Sequence, residues 1–286
     1  MRIENLPFEN CFIVHSLSGG SNRKFYRVNC GGRKRIVMHG EKDEVDRYTR
    51  LAKSLREAGI NVPEIYNVQG NYVLMEDLGD MSLYHYVKIY GPNTGIYEKV
   101  IDQLVKLQSK NVDRLPIFDG EKLFSEFRHF KKFYVPYARI DTNGWEEHIK
   151  EIVNKCLSAP FVPMHRDFQS KNIFIKESKI YMVDFQDMHV GPLYFDLASL
   201  LFDPYVMLQD RSIWELVKYY EKISRTEFDC EGFIACGILR IMQALGAFVR
   251  LSSEGKDFFK DFIRKGRSRL KKLLCDAGFY GMADAL

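Results

Sequence analysis

Asp167 and Asn172 stand five positions apart in the run Met164-His165-Arg166-Asp167-Phe168-Gln169-Ser170-Lys171-Asn172, and Asp184 follows Asn172 by twelve in Val183-Asp184-Phe185-Gln186. Two carboxylates and an amide so spaced suit phosphoryl transfer. That chemistry asks for metal ions to neutralise phosphate charge and a carboxylate to orient the nucleophile. Asp167 is the expected catalytic base, taking the proton of a substrate hydroxyl. Asn172 and Asp184 are the expected Mg²⁺ ligands. Residues 173–176 and 180–183 read as short strands joined by Glu177-Ser178-Lys179, a hairpin expected to return Asp184 to the end where Asn172 stands. A buried ion pair or an ordinary strand end would explain either half alone. The two together point to chemistry.

Elements upstream must bring a nucleotide to these groups. Ser18-Gly19-Gly20-Ser21-Asn22 lies between two strand-like runs, where its backbone N–H groups can cover triphosphate oxygens. Arg23 follows directly. Val73-Leu74-Met75-Glu76-Asp77-Leu78-Gly79-Asp80 reads as a hinge whose backbone at Glu76 to Leu78 pairs with adenine. The expected nucleotide set is therefore Ser18, Gly19, Gly20, Ser21, Asn22, Arg23, Met75, Glu76 and Leu78, with ATP and Mg²⁺ as cofactors.

Around these motifs the first third reads as strands at 11–15, 25–28, 35–38, 65–68 and 72–76. One helix at 42–58 carries Val45, Tyr48, Leu51, Ala52 and Leu55 on one face. Asn29-Cys30-Gly31-Gly32 is a strong hairpin signal. Helices then dominate: 97–105, 124–137, 145–157, 196–207 and several beyond Arg211. The expected fold is α+β, with a small β-rich lobe at 1–78 and a larger, mainly helical lobe at 79–286. The second holds the catalytic loop, the metal site and the acceptor site.

Composition narrows the classes. The chain of 286 residues is 46% hydrophobic and 28% charged with net charge +4, an ordinary globular balance that argues against disorder and gives no case for nucleic acid. No repeat is present. The longest stretch free of charged side chains, 10–22, is too short to span a bilayer. No apolar segment follows the N-terminal Arg2, so a cytoplasmic protein without membrane contact is expected. Six cysteines without a CxxC pair read as free thiols of a reducing compartment. The aromatic residues Phe124, Phe127, Phe130, Phe133, Tyr134 and Tyr137 read as core. The basic segment 256–272 reads as a solvated helix face. No HExxH or dense histidine cluster argues for zinc, and no obligate protein partner is evident.

The spacing of Asp167 and Asn172 matches the H-R-D-x-x-x-x-N catalytic loop of protein kinases. The chain resembles the aminoglycoside phosphotransferase and choline kinase superfamily, small-molecule kinases of protein-kinase-like two-lobe fold. Within it the likeness is closest to bacterial anomeric N-acetylmuramate/N-acetylglucosamine kinases. That likeness rests on Leu74-Met75-Glu76-Asp77-Leu78-Gly79-Asp80, His165-Arg166-Asp167 and Val183-Asp184-Phe185-Gln186-Asp187-Met188, continuing into Gly191-Pro192 and Asp196-Leu197-Ala198-Ser199-Leu200-Leu201. It implies transfer of the γ-phosphate of ATP to a hydroxyl of a sugar-like small molecule, the anomeric hydroxyl of an N-acetyl amino sugar. The alternatives are an aminoglycoside or choline-type kinase, disfavoured by the excess of Lys and Arg over Asp and Glu from Arg225 onward, and a nucleotide-binding pseudokinase. The last is prompted by the third strand, where such folds place a lysine and this chain has Met38 or His39; the look-alike sugar kinases also carry Met there, which implies a trait of that subfamily. Arg23, Lys24 or Lys34 is expected to supply the missing charge. Asp196 reads as a helix N-cap and, by resemblance, as a brace for the backbone of the catalytic loop. Gln186 replaces the glycine of the D-F-G motif.

Overall fold

The structure, a computed structural model, describes residues 6–17, 23–112 and 114–286. Its first elements are β1 (Cys11–Leu17), β2 (Lys24–Cys30), β3 (Arg33–His39), α1 (Lys42–Glu57), β4 (Ile65–Gln69) and β5 (Tyr72–Glu76). Then come α2 (Leu83–Tyr90), α3 (Thr94–Gln108), α4 (Gly120–Ala138), α5 (Trp145–Leu157), β6 (Phe161–Met164), β7 (Ile173–Lys176), β8 (Lys179–Met182) and β9 (His189–Pro192). The chain ends in α6 (Phe195–Leu201), α7 (Asp210–Ser224), α8 (Cys230–Ser253), α9 (Lys260–Asp276) and α10 (Tyr280–Ala285), with a 3-10 turn at Asp257–Phe259. Packing divides it into two compact units, Met1–Met81 with Phe174–Gln186, and Ser82–Ile173 with Asp187–Leu286.

The first unit is an antiparallel sheet in the order β1-β2-β3-β5-β4. Gly31 and Gly32 form the two-residue connection between β2 and β3, both at positive φ, the conformation that a type I′ hairpin demands at its two central residues. Phe8, Tyr26, Val28 and Val37 build one core of the sheet. Helix α1 buries Val45, Tyr48, Leu51, Ala52 and Leu55, and the Tyr48 hydroxyl donates to Met75 Sδ at 3.3 Å. Met38 is fully buried, opposite Phe25 on β2 and Val73 on β5.

Two expectations change here. The sequence reading kept the β7–β8 hairpin with the helical part and set the boundary after residue 78. Instead the hairpin is bonded into the first unit: Ile175 N–H donates to Met81 O at 2.8 Å, Met182 N–H to Asn61 O at 3.0 Å, and Asn61 Nδ2 to Ile180 O at 3.0 Å. The six cysteines are also not all free, for Cys11 and Cys30 form a disulfide. They are opposite residues of the β1–β2 ladder, a juxtaposition set by strand register that their spacing in the chain does not reveal. Cys156, Cys230, Cys236 and Cys275 are free thiols.

In the second unit α8 is the central helix, packed against α4, α5, α6 and α9. It is long and apolar enough to cross a membrane, yet 83% of its most apolar window is buried inside the fold, so its apolarity is spent on the core. Gly246 allows the close approach of α4, since a Cβ there would stand 2.5 Å from His129 Cδ2. Phe127, Phe130 and Tyr134 of α4 are buried as expected, while Tyr137 is exposed. Strands β6 and β9 pair antiparallel and lead into the loop at 165–172 and into α6 respectively. The helix expected over 196–207 stops at Leu201, because Pro204 disfavours helical backbone at Asp203 and offers no N–H of its own.

Candidate active site

The candidate catalytic loop, residues 165–172, belongs to the second unit and is held by two buried carboxylates. Asp196, in the first turn of α6, accepts from His165 N–H at 2.5 Å and from Arg166 N–H at 2.9 Å. It braces the loop but does not cap its helix, for the N-cap position falls on Tyr194. Burial pushes the Asp196 carboxyl up to about 6, against the opposing pull of His165 and the two backbone N–H groups. Asp203 accepts from Ser170 N–H and from Tyr205 N–H, both at 2.8 Å. Arg166 is in the left-handed region at φ 74°, a strained conformation for a non-glycine residue. Its guanidinium lies 3.6 Å from the buried Glu126 of α4.

Asp167 is gripped at both oxygens. Oδ2 accepts from Asn172 Nδ2 and from Gln169 Nε2, each at 3.0 Å. Oδ1 is ion-paired with Arg240 Nη2 of α8. Asn172 Nδ2 also donates to the Asp167 carbonyl at 3.0 Å, so the nitrogen of this amide is turned to the loop and its oxygen away. Lys171 is drawn aside instead, its ammonium 4.4 Å from the centre of the Phe258 ring and over Tyr205 as well.

Asp184 lies in the first unit, at φ 65°. Its Oδ1 accepts from Arg23 Nη2 at 2.9 Å and from Gln186 Nε2 at 3.1 Å. Phe185 stacks on Tyr48 of α1, ring centres 4.7 Å apart. Of the nucleotide residues expected from sequence, Ser18, Gly19, Gly20, Ser21 and Asn22 lie outside the described residues. Met75 is buried beneath α1, so its side chain is core. Glu76 N–H is bonded to Glu64 O at 2.8 Å, and the Glu76 carboxylate pairs with Lys176 of β7 at 2.6 Å. Leu78 is buried within a turn that Arg27 of β2 holds: Nε lies 2.7 Å from Asp77 Oδ2, and Nη1 2.9 Å from Asp80 Oδ1.

Sequence reasoning missed Arg27, Glu126, Asp203 and Arg240. Arg240 left a trace, a lone charge in the otherwise apolar run Ile238-Leu239-Arg240-Ile241-Met242. Polar residues on an apolar helix face are buried only with partners.

An antiparallel sheet with one packed helix, a mainly helical unit and an HRD…N loop define an ATP-dependent phosphotransferase with a hydroxyl acceptor. The chain belongs to the phosphotransferase enzyme family, whose model matches residues 15–224. It is 25% identical over 261 residues to the N-acetylmuramate/N-acetylglucosamine kinase of Pseudomonas aeruginosa, covering 84% of this chain and 76% of that one. To the kinase of the same name from Neisseria meningitidis it is 26% identical over 292 residues, covering 93% and 87%. Among solved structures it resembles an ethanolamine kinase of Plasmodium vivax, with TM-score 0.66 at 15% identity over 92% of this chain and 82% of that one. A choline/ethanolamine kinase family protein of Mesorhizobium loti gives TM-score 0.65 at 13% identity over 94% and 91%. At such identities the structural likeness shows the fold.

Proposed function

We propose that the protein transfers the γ-phosphate of ATP to the anomeric hydroxyl of an N-acetyl amino sugar, with Asp167 as base. The observation that carries the reading is the double grip on Asp167, which fixes a carboxylate in the loop where this family performs its chemistry. The relatives named above supply the acceptor class. Asp167 takes the hydroxyl proton as the oxygen attacks phosphorus. Asn172 through its amide oxygen and Asp184 through its carboxylate are the proposed Mg²⁺ ligands. Two such protein groups would suffice, since Mg²⁺ at nucleotide sites is held by one or two side chains together with the substrate phosphates. When bound, the ion neutralises charge on the phosphates. Adenine pairing falls to the Leu78 N–H and the Glu76 carbonyl, because the Glu76 N–H is already given to Glu64. A compartment that supplies ATP, the cytoplasm, suits this donor.

Phosphorus NMR of the product, after incubation with ATP and Mg²⁺, tests the reading. A sugar 1-phosphate signal from N-acetylglucosamine or N-acetylmuramate is the expected result. A phosphorylated aminoglycoside or choline, with neither sugar turned over, overturns it.

A further inference from the structure

Arg240 sits in the middle of α8 among buried apolar neighbours, and its own side chain is only 7% exposed. A guanidinium so placed has lost its hydration, a cost offset only where a counter-charge and hydrogen bonds replace the water. They are present: Nη2 meets Asp167 Oδ1, Nε donates to Ser199 Oγ at 2.8 Å, and Nη1 meets Gln243 Oε1. The loop's own Asn172 and Gln169 hold only the opposite oxygen of Asp167. An aspartate carboxylate held at one oxygen still turns about its broad χ2. Held at both, it keeps one orientation. Glu126, a buried carboxylate nearby, is ion-paired with Arg166, whereas the Arg240 guanidinium meets Asp167.

A buried ion pair is weak ground for stability, since apolar residues of similar volume often do as well. We propose that Arg240 is a positioning residue for phosphoryl transfer, locking the Asp167 carboxylate in the orientation that receives the acceptor's proton. This rests on Asp167 being the base. The arginine acts on the chemical step and leaves nucleotide binding alone.

The test compares Arg240→Ala, Arg240→Met, Asp167→Asn and the double variant Arg240→Ala/Asp167→Asn in the full chain, with ATP and N-acetylglucosamine. Arg240→Ala is expected to lower kcat about 10²-fold, the scale of a small misplacement of a reacting group. The KM for ATP stays near wild type. Millimolar guanidinium restores part of kcat in Arg240→Ala and none in Asp167→Asn. The double variant is no slower than Asp167→Asn alone, as befits residues acting as one unit. Where the alanine variant does not fold, Arg240→Met fills the space without charge and carries the same expectation. Wild-type kcat in a folded Arg240 variant, or losses that multiply in the double variant, overturns the proposal while Asp167 stands as base. Wild-type kcat in Asp167→Asn instead removes the base. If neither N-acetylglucosamine nor N-acetylmuramate yields ADP, the sugar reading fails by itself, and the variants are compared on the acceptor that turns over.

Discussion

Arg23 Nη2 lies 2.9 Å from Asp184 Oδ1, an ion pair between residues 161 positions apart in the chain. The Arg23 side chain is 5% exposed, whereas Lys24 and Lys34, the other two cations considered for the charge absent at Met38, are exposed. Of the three, Arg23 is thus the one fixed beside the proposed metal aspartate. A triphosphate needs cations beyond Mg²⁺, and the guanidinium fork grips phosphate oxygens well. Arg23→Ala should therefore raise the KM for ATP about tenfold, the worth of roughly one charge-assisted hydrogen bond. The acceptor KM should stay near wild type. Lysine at position 38 is a poor rescue, because Met38 is fully buried and an ammonium there would be desolvated. Unchanged kinetics at subsaturating ATP would remove Arg23 from the phosphate site.

Asp184→Ala should weaken MgATP far more than metal-free ADP. The carboxylate would hold Mg²⁺ arriving with the nucleotide and so help neutralise phosphate charge, whereas metal-free ADP has little to lose. Calorimetric titrations with and without Mg²⁺ read this directly. Equal losses in the two would assign Asp184 to something other than metal binding.

Local geometry was legible in the sequence, and long-range pairing was not. Gly31 and Gly32 announced their hairpin because two consecutive positive φ angles need such residues. The interval from Asn172 to Asp184 announced β7 and β8 for a similar reason, being just long enough for two strands and a turn. Arg240 and Asp167 are 73 residues apart and Arg27 and Asp77 are 50, and no local rule ties such partners. Their juxtaposition is fixed by how α8 meets the loop and by the sheet order, which sets β2 and β5 on either side of β3. Cys11 and Cys30 were misread for the same reason, since only the β1–β2 register makes them opposite.

The Arg27–Asp77 pair yields a stability prediction. Both side chains are nearly buried, 9% and 7% exposed, while the second partner, Asp80, is largely in water and adds little. Arg27→Leu leaves the Asp77 charge buried without its counter-ion, which should cost about 3–5 kcal/mol in urea unfolding. Arg27→Leu/Asp77→Leu removes both charges and should recover most of that loss. If the double variant is as unstable as the single one, the arginine contributes through packing rather than charge.

Asp196 gives stability a pH dependence of definite sign. Burial, the largest influence, lifts its carboxyl from 3.8 to about 6, outweighing His165 and the two backbone N–H groups that favour the charged form. The folded chain therefore holds a proton that the unfolded chain has already released over that interval. By linkage, stability contributed at this site is full below the unfolded value, falls as pH rises from about 4 to about 6, and is level above. Asparagine does not titrate, so the difference in unfolding free energy between wild type and Asp196→Asn isolates the group. That difference should shrink by about 2 kcal/mol between pH 4.5 and pH 7. The variant should also be slower at neutral pH. A carboxylate accepts both the His165 and the Arg166 N–H, whereas an amide has one acceptor oxygen and turns a donor toward the other N–H. Urea unfolding of both proteins at pH 4.5 and pH 7, with kcat at pH 7, measures the two effects. A wild-type advantage that grows with pH would mean that the backbone N–H bonds outweigh burial at Asp196.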